Sequence, residues 1–294
     1  MSNQNPKMLT RKPHWLKRKL PTGPEYESVR GLLKKSRLYT VCEEAKCPNI
    51  WECFSQRTST FLIMGRYCTR NCRFCAITHR PPVIIDPGEP VRVADAAQSM
   101  ELSYVVITSV TRDDLPDGGA FHFAKTIREI RRRSRDTLVE VLIPDFQGDF
   151  NALQVVMEAK PDVLNHNLET IPRLYPSVRP GAIYRRSLDL LKQAKQIHPT
   201  IPTKSGLMLG LGESSEEIER TLRNLLYSGC SILTLGQYLQ PTREHLSVKR
   251  YINPEEFDYW KETALEMGFS AVASGPFVRS SYRAKELYQK IAAV

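Results

Sequence analysis

A chain of 294 residues suits one large domain of α/β-barrel size or two small ones, and 41% hydrophobic with 25% charged residues supplies an ordinary globular core. No apolar run approaches the ~18 residues of a membrane span, and residues 1–19 lack the apolar h-region of a secretory signal, so neither a membrane-spanning nor a secreted protein is expected. The net charge of +10 favours an acidic macromolecular partner, yet no DNA- or RNA-binding motif accompanies it, and each basic run (7–19, 34–37, 131–135) read alone is a solvated helix face.

Residues 1–60 show no clean periodicity and carry Pro6, Pro13, Pro21, Pro24 and Pro48, which reads as an N-terminal extension wrapped on a main body. From residue 61 the texture changes to short apolar runs with β-branched residues, at 61–64, 104–108, 138–143, 163–166, 205–211 and 231–236. Each has strand length and is too short for a lone helix. A proline-rich linker at 81–90 precedes a helix near 94–102. Ala120, Phe123, Ala124, Ile127 and Ile130 follow helical spacing, as do Ile218, Leu222, Leu225 and Leu226. That second helix opens on Ser214 and Glu217 at capping-box spacing and ends at Gly229. A further helix starts at Asn253-Pro254, a cap followed by proline at the first helical position.

Strand and helix thus alternate about six times, which means parallel strands joined by crossover helices. A closed or partly closed β/α barrel and an open doubly wound sheet both fit. No G-x-G-x-x-G follows the first strand, which weakens a dinucleotide-binding reading.

Six of the seven cysteines lie between residues 42 and 75, in two triples: Cys42, Cys47 and Cys53 (C-x4-C-x5-C), then Cys68, Cys72 and Cys75 (C-x3-C-x2-C). An odd total argues against a disulfide framework, and a reducing compartment is expected. An iron–sulfur cube normally takes four protein ligands, so a triple leaves one iron open to chemistry. Structural zinc needs four ligands; no fourth cysteine stands at finger spacing, and His79 is a single candidate. The second triple directly follows the first strand. In a barrel it lands at the mouth, where catalytic groups gather.

Asn165, Asn167 and Glu169 sit at or past another strand end, where they either face the mouth or cap a loop. Arg112, Asp113 and Asp114 follow a third strand; the two adjacent carboxylates diverge to opposite faces and do not form an acid–base pair. Lys204, at a strand start, is expected to snorkel at the barrel base, and Cys230 to be a small buried hydrophobe. His14, Trp15 and Trp51 read as packing residues.

The C-x3-C-x2-C run, with Phe74 just before its last cysteine, resembles the signature of radical S-adenosylmethionine enzymes. The resemblance implies that Cys68, Cys72 and Cys75 hold a [4Fe–4S] cluster. Its open iron is chelated by S-adenosylmethionine, whose cleavage yields a 5′-deoxyadenosyl radical. The first triple, with its intervening Pro48, Asn49 and Trp51, closely resembles the auxiliary-cluster motif of lipoyl synthases. That likeness continues through residues 11–17, 108–114, 165–170, 204–213, 236–242 and 279–282, nearly the whole chain.

As members of that family are built, the resemblance implies an α/β fold: a partial (β/α)6 TIM-like barrel spanning 61–275. An extension at 1–60 carries the auxiliary-cluster cysteines, and one at 276–294 supplies a serine. The implied metal ligands are Cys42, Cys47, Cys53 and Ser281, with Ser280 as the alternative, for the auxiliary [4Fe–4S] cluster, and Cys68, Cys72 and Cys75 for the radical cluster. Asn165, Asn167, Glu169 and Arg112 are the implied S-adenosylmethionine contacts. The implied reaction inserts two sulfur atoms, drawn from the auxiliary cluster, at C6 and C8 of an octanoyl chain amide-linked to a carrier lysine. The implied partners are acidic octanoylated lipoyl domains or the glycine-cleavage H protein, and a ferredoxin- or flavodoxin-type electron donor. Neither nucleic acid nor membrane is an expected partner, and a cytoplasmic monomer is expected. Two other readings are weaker. A biotin-synthase-like enzyme lacks the first triple, and a zinc or cluster-binding module on nucleic acid has only the charge in its favour.

Overall fold

The computed structural model describes residues 12–17, 23–55 and 59–292. Pro6, Arg11, Pro21 and most of the basic run at 7–19 lie outside them. The N-terminal part comprises α1 (Pro24–Lys35), a two-residue strand β1 (Tyr39–Thr40), α2 (Val41–Glu44) and α3 (Ile50–Ser55). Proline starts α1 where no helical N–H is needed, and the Thr40 hydroxyl accepts from the Glu43 N–H to cap α2. Strand β2 (Thr60–Ile63) follows, then a short separate ladder of β3 (Tyr67–Cys68) and β4 (Thr78–His79).

The main body continues as α4 (Glu89–Ser99), β5 (Tyr104–Ser109), α5 (Ala120–Arg133), β6 (Leu138–Leu142), α6 (Phe150–Glu158) and β7 (Val163–Asn165). After these come α7 (Tyr175–Val178), α8 (Tyr184–Ile197), β8 (Thr203–Leu209), α9 (Ser215–Tyr227), β9 (Ile232–Gln237), α10 (Pro254–Met267), β10 (Ala271–Gly275) and α11 (Ala284–Ala292). One sheet runs β1-β2-β5-β6-β7-β8-β9-β10, with β1 antiparallel to β2 and every other pair parallel. The sheet order ends at β1 and β10, and the fold is a partial barrel.

Residues alternate between the two faces of each strand. On the outer face Val105, Ile107, Val139 and Val141 meet Phe123 and Ile127 of α5, and Leu207, Leu233 and Val272 meet Leu222 of α9 and Trp260 of α10. The inner face is closed at the strand starts by α11. Its Leu287 packs on Val163, Ile232 and Ala271, and its Ala284 and Tyr288 pack on Tyr104 and Val106. Fully burying a leucine of this kind contributes about 1.5–3 kcal/mol. The N-terminal extension shares the barrel core, since Val29, Leu33, Cys42 and Phe54 join the same cluster as Phe61 and Ile107. Among the described residues no helix is long and apolar enough to cross a membrane.

The six expected strands are present to within two residues at each end. A seventh parallel strand, β10, joins the six: Ala-Val-Ala-Ser-Gly has too little apolar bulk to stand out as a strand in the sequence. Both expected caps form: Ser214 and Glu217 make a reciprocal capping box, and Asn253 accepts from the Glu256 N–H. The proline-rich linker is shorter than expected. Glu89 and Pro90 already belong to α4, and the buried Glu89 carboxylate accepts from the Met64 N–H at 2.7 Å and lies 2.8 Å from His122 Nε2.

Lys204 does not snorkel. It is fully buried, its ammonium 2.9 and 3.1 Å from the two Glu140 oxygens, and Tyr104 Oη (2.7 Å) and Asn165 Nδ2 (3.0 Å) donate to the same carboxylate. Buried charges require such pairing, and the parallel register supplies it by aligning Asn165 with Lys204. Cys230 is the expected buried small residue, its thiol against the Ile232 carbonyl oxygen at 3.3 Å.

Candidate active site

Cys68 ends β3, and Cys72 and Cys75 follow on a loop pinned from three sides. Arg70, between the first two cysteines, donates to both Asp113 oxygens (2.7 and 2.9 Å) and to Asp145 Oδ1 (2.6 Å). The Arg73 N–H donates to the Val178 carbonyl (2.9 Å), and the Arg73 carbonyl accepts from the Leu246 N–H (3.1 Å). His245 Nε2 lies 2.9 Å from the Cys75 carbonyl, which only accepts, so Nε2 carries the proton and Nδ1 accepts from the Thr242 hydroxyl at 2.8 Å. Burial opposes ionisation of Asp145, but the Arg70 guanidinium outweighs it and holds the carboxyl at about 2.

The three thiols share one neighbourhood. Burial pushes Cys72 up to about 11 and Cys75 up to about 12, and the negative charge of Cys68, and of Cys72 on Cys75, adds to it. The Thr111 N–H points at Cys68 Sγ, 3.3 Å away. The first triple is gathered in the same way. Cys42 lies on α2, the Cys47 N–H donates to the Cys42 carbonyl (3.0 Å), and Cys53 lies on α3. Burial, then Cys47, then Cys53, raises the Cys42 thiol. Thiols crowded and buried like this ionise readily only with cations among them.

The C-terminal segment after β10 returns to the first triple as a strap. Asn49 Nδ2 donates to the Phe277 carbonyl (2.6 Å) and the Tyr282 hydroxyl to Glu52 Oε1 (2.8 Å), so residues between the cysteines grip the strap on both sides of Ser281. Gly236 permits the strap's closest approach: a Cβ there would lie 2.1 Å from the Val278 carbonyl oxygen. Arg279 stands within electrostatic reach of both Cys47 and Glu169, and burial draws its guanidinium down against them.

The four polar residues expected to contact a cofactor are not all brought together. Asn167 and Glu169 meet, Asn167 Nδ2 being 3.0 Å from Glu169 Oε1 and 2.5 Å from Ser280 Oγ. Burial raises the Glu169 carboxyl against the pull of Arg179, and Glu169 is held in the left-handed region (φ 65°) by hydrogen bonds to Gly206 and Met208 of β8. Asn165 lies deeper, on the Glu140–Lys204 pair. Arg112 is committed to both Asp114 oxygens (2.9 and 2.8 Å) and to the Met64 carbonyl. As expected, Asp113 and Asp114 diverge, one to Arg70 and one to Arg112.

Sequence reading missed Arg70, Asp145, Arg179, His245 and the strap-gripping pair Asn49 and Glu52. Only position offered a signal: Arg70, Asn49 and Glu52 lie inside the cysteine triples. Arg179 stacks over Tyr175 (5.3 Å), donates to the Asn167 and Leu168 carbonyls, and its positive charge opposes the rise of the Cys72 thiol.

The donor set fits iron–sulfur clusters. Soft thiolates suit them, and among the described residues no three His, Cys, Asp or Glu side chains converge on a single-ion site, whereas the thiolates of a cube each take a different iron. Buried polar atoms are ordinarily paired. Asn167 Oδ1, Ser109 Oγ and Arg179 Nε, at or near the strand ends by the second triple, have no protein hydrogen-bond partner, which suits a polar cofactor such as S-adenosylmethionine.

Residues 62–225 match the family model of the radical SAM superfamily. The solved structure of HydG, a maturase of the [FeFe]-hydrogenase, superposes with a TM-score of 0.60 over 90% of this chain and 67% of that one, at 11% identity. Streptococcus suis SuiB bound to S-adenosylmethionine gives 0.56 over 70% of this chain and 46% of that one, at 13% identity. At such identities the structures speak for the fold alone. Fold, cysteine loop and family model together define a radical SAM enzyme, with S-adenosylmethionine and [4Fe–4S] clusters as its cofactors.

Residues 2–47 match the N-terminal domain of lipoyl synthase. The lipoyl synthase of Desulfotalea psychrophila is 58% identical over 287 residues, covering 98% of this chain and 96% of the relative. That of Alkaliphilus metalliredigens is 55% identical over 282 residues, covering 96% and 97%. The chain belongs to the lipoyl synthase family.

Proposed function

We propose that this enzyme completes lipoyl groups by inserting two sulfur atoms, at C6 and C8 of an octanoyl chain held in amide linkage on a carrier lysine. When bound, the radical cluster with S-adenosylmethionine supplies a 5′-deoxyadenosyl radical that takes hydrogen from carbon, and the auxiliary cluster supplies sulfur. Cys68, Cys72 and Cys75 hold the first cluster; Cys42, Cys47, Cys53 and Ser281 hold the second. A serine oxygen is a hard donor in a soft set and the easiest ligand to release, which suits a cluster that has to open.

The observation that carries this reading is the double grip of the strap, Asn49 on Phe277 and Glu52 on Tyr282, which brings the segment holding Ser281 to the first triple. Ser280 is engaged by Asn167, which favours Ser281 over it as the ligand. Asn167, Glu169 and Arg179 border the S-adenosylmethionine side and orient its polar groups. Asn165 and Arg112, occupied by Glu140 and Asp114, brace the walls around it. In this reading residues 1–60 and 276–294 complete the auxiliary site and 61–275 form the radical barrel. The substrates are octanoylated lipoyl domains or the glycine-cleavage H protein, the reductant is of ferredoxin or flavodoxin type, and the enzyme is a cytoplasmic monomer.

The test is an anaerobic single turnover with an octanoyl-lysine peptide and S-adenosylmethionine, read by mass spectrometry as a lipoyl product. Iron should amount to about eight per chain, two cubes of four. Alanine at Cys42, Cys47 and Cys53 should leave 5′-deoxyadenosine formation and stop sulfur insertion; sulfur still appearing in the product would overturn the donor assignment.

A further inference from the structure

The β3–β4 ladder carries Cys68 toward the surface. His79 Nδ1 on β4 lies 3.0 Å from the Cys68 carbonyl oxygen, and the His79 ring is exposed. Past β4 the chain turns through Pro81 and Pro82 to Val83 and Ile84, which are 48% and 95% exposed. Ile84 is the most exposed large apolar side chain among the described residues, and Val83 lies over Gly65 at the other end of the same loop.

Fixed cations stand beside this apolar tip. The Arg66 guanidinium lies 5.7 Å from the Tyr39 ring centre and 6.0 Å from that of Tyr67, and Arg80 lies 5.8 Å from Tyr67. Stacking on aromatic faces holds these side chains in place while their charge stays available. Arg66 shares its charge with Glu44 at 3.4 Å; Arg80 has no carboxylate partner among the described residues. Arginine and tyrosine are residue types enriched at protein-binding hot spots, and here they stand beside an exposed apolar tip.

We propose that this patch, Ile84 and Val83 with Arg66 and Arg80, is the docking surface for a small acidic one-electron carrier protein that reduces the radical cluster. The proposal rests on the reading of Cys68, Cys72 and Cys75 as cluster ligands. The carrier loses one electron and the cluster gains it, passing from its 2+ to its 1+ state, with no proton or bond moved. Electron transfer needs a short path, and here one hydrogen bond separates the exposed His79 ring from the backbone of a ligand cysteine. Redox encounters use small interfaces, in keeping with a patch of a few side chains. The octanoylated carrier has a different requirement, access to the space bordered by Asn167, Glu169 and the strap. Among the described residues no hydrogen bond or ion pair joins the patch to those groups.

Reduced plant-type ferredoxin is the probe, and the variants are Ile84→Asp, Arg80→Glu and the milder Arg80→Gln, all at exposed positions and none of them a cluster ligand in the proposed set. Binding of oxidised ferredoxin to the reconstituted enzyme is measured by interferometry at two salt concentrations. S-adenosylmethionine cleavage is then driven either by ferredoxin or by dithionite. We expect Ile84→Asp and Arg80→Glu each to weaken ferredoxin binding and slow ferredoxin-driven cleavage about tenfold, Arg80→Gln to do so less, and parental binding to fall with salt. Dithionite-driven cleavage and the KM for the octanoylated carrier should not change. Ferredoxin binding and rate within about twofold of the parent, or a raised carrier KM under dithionite, would overturn the proposal, the second by giving the patch to the carrier. Should dithionite fail to support cleavage in the parent, the cluster reading falls, while the binding series still decides the docking surface.

Discussion

Asn167 Nδ2 reaches across 113 residues of chain to Ser280 Oγ, 2.5 Å away, and the same amide holds Glu169 Oε1 at 3.0 Å. One side chain at a strand end therefore ties the C-terminal strap to the group beside the second cysteine triple. The two halves of the site are joined by hydrogen bonding as well as by proximity.

Under the proposed ligand assignment the two adjacent serines have different roles, and this tie makes the difference testable. Ser280→Ala should cost about 1 kcal/mol of strap anchoring and leave the Mössbauer signature of the auxiliary cluster intact. Ser281→Ala should alter that signature at one iron and stop sulfur insertion while iron remains bound. Asn167→Ala should raise the amount of 5′-deoxyadenosine formed per sulfur inserted. A signature lost with Ser280→Ala and retained with Ser281→Ala would reverse the assignment.

Gly236→Ala tests the strap from beneath. The new methyl would sit 2.1 Å from the Val278 carbonyl oxygen, and a backbone atom cannot swing aside as a side chain does. The strap must lift, so trypsin should cut at Arg279 or Arg283 sooner than in the parent. On the proposed Ser281 assignment, sulfur insertion should fall at least about tenfold, since misplacing a group by an ångström is enough for that, with 5′-deoxyadenosine formation largely kept. Parental cleavage kinetics in both assays would count against a strap seated on β9.

The Glu140–Lys204 pair inside the barrel predicts an asymmetry. Lys204→Met alone leaves a buried carboxylate without its cation and should cost about 3–5 kcal/mol, seen as a lowered unfolding midpoint. Adding Glu140→Gln should recover a large part of that loss, because the amide still accepts from Tyr104 while carrying no charge. Additive losses in the double variant would show that the two side chains do not act as a pair.

His166 gives the fold a pH dependence. Its Nδ1 donates to the Ile143 carbonyl (2.8 Å), so its Nε2 accepts from Ser187 Oγ (2.9 Å), and this pairing requires the neutral ring. Burial first, then the Arg179 charge, hold its pKa down at about 4. Between an unfolded value of about 6.5 and that folded value, the unfolded chain binds a proton that the native chain refuses. Stability therefore falls as pH drops through this window, by up to about 3 kcal/mol, and the loss ends below the folded pKa. His166→Leu should be less stable at pH 7 and flatter from pH 7 to 4; a parental slope retained in the variant would place the titrating group elsewhere.

Much of this architecture was legible along the chain. The strand–helix alternation follows from apolar runs bounded by caps, and the capping box at Ser214 and the cap at Asn253 form as their local chemistry dictates. Cysteine spacing likewise marks both triples, because ligands close in sequence need only a short loop to converge. Strand β10 was hidden because its inward positions are Ala271, Ala273 and Gly275, small residues that make room for α11 and the strap and leave no apolar period to see.

What the sequence determined by itself is everything that depends on neighbours within a few residues: element types, caps, and the two three-cysteine loops. Tertiary structure alone decided which distant groups meet. Lys204 finds Glu140 only because parallel strands align them across the inner face, and Arg70 finds Asp145 only because a loop after β6 reaches the cysteine loop. Ser281 has no local feature to distinguish it from any serine in a polar turn. It gains a setting because Asn49 and Glu52, more than two hundred residues earlier, hold the backbone and the tyrosine on either side of it. Such contacts depend on closing long loops against chain entropy, which only the packed barrel accomplishes.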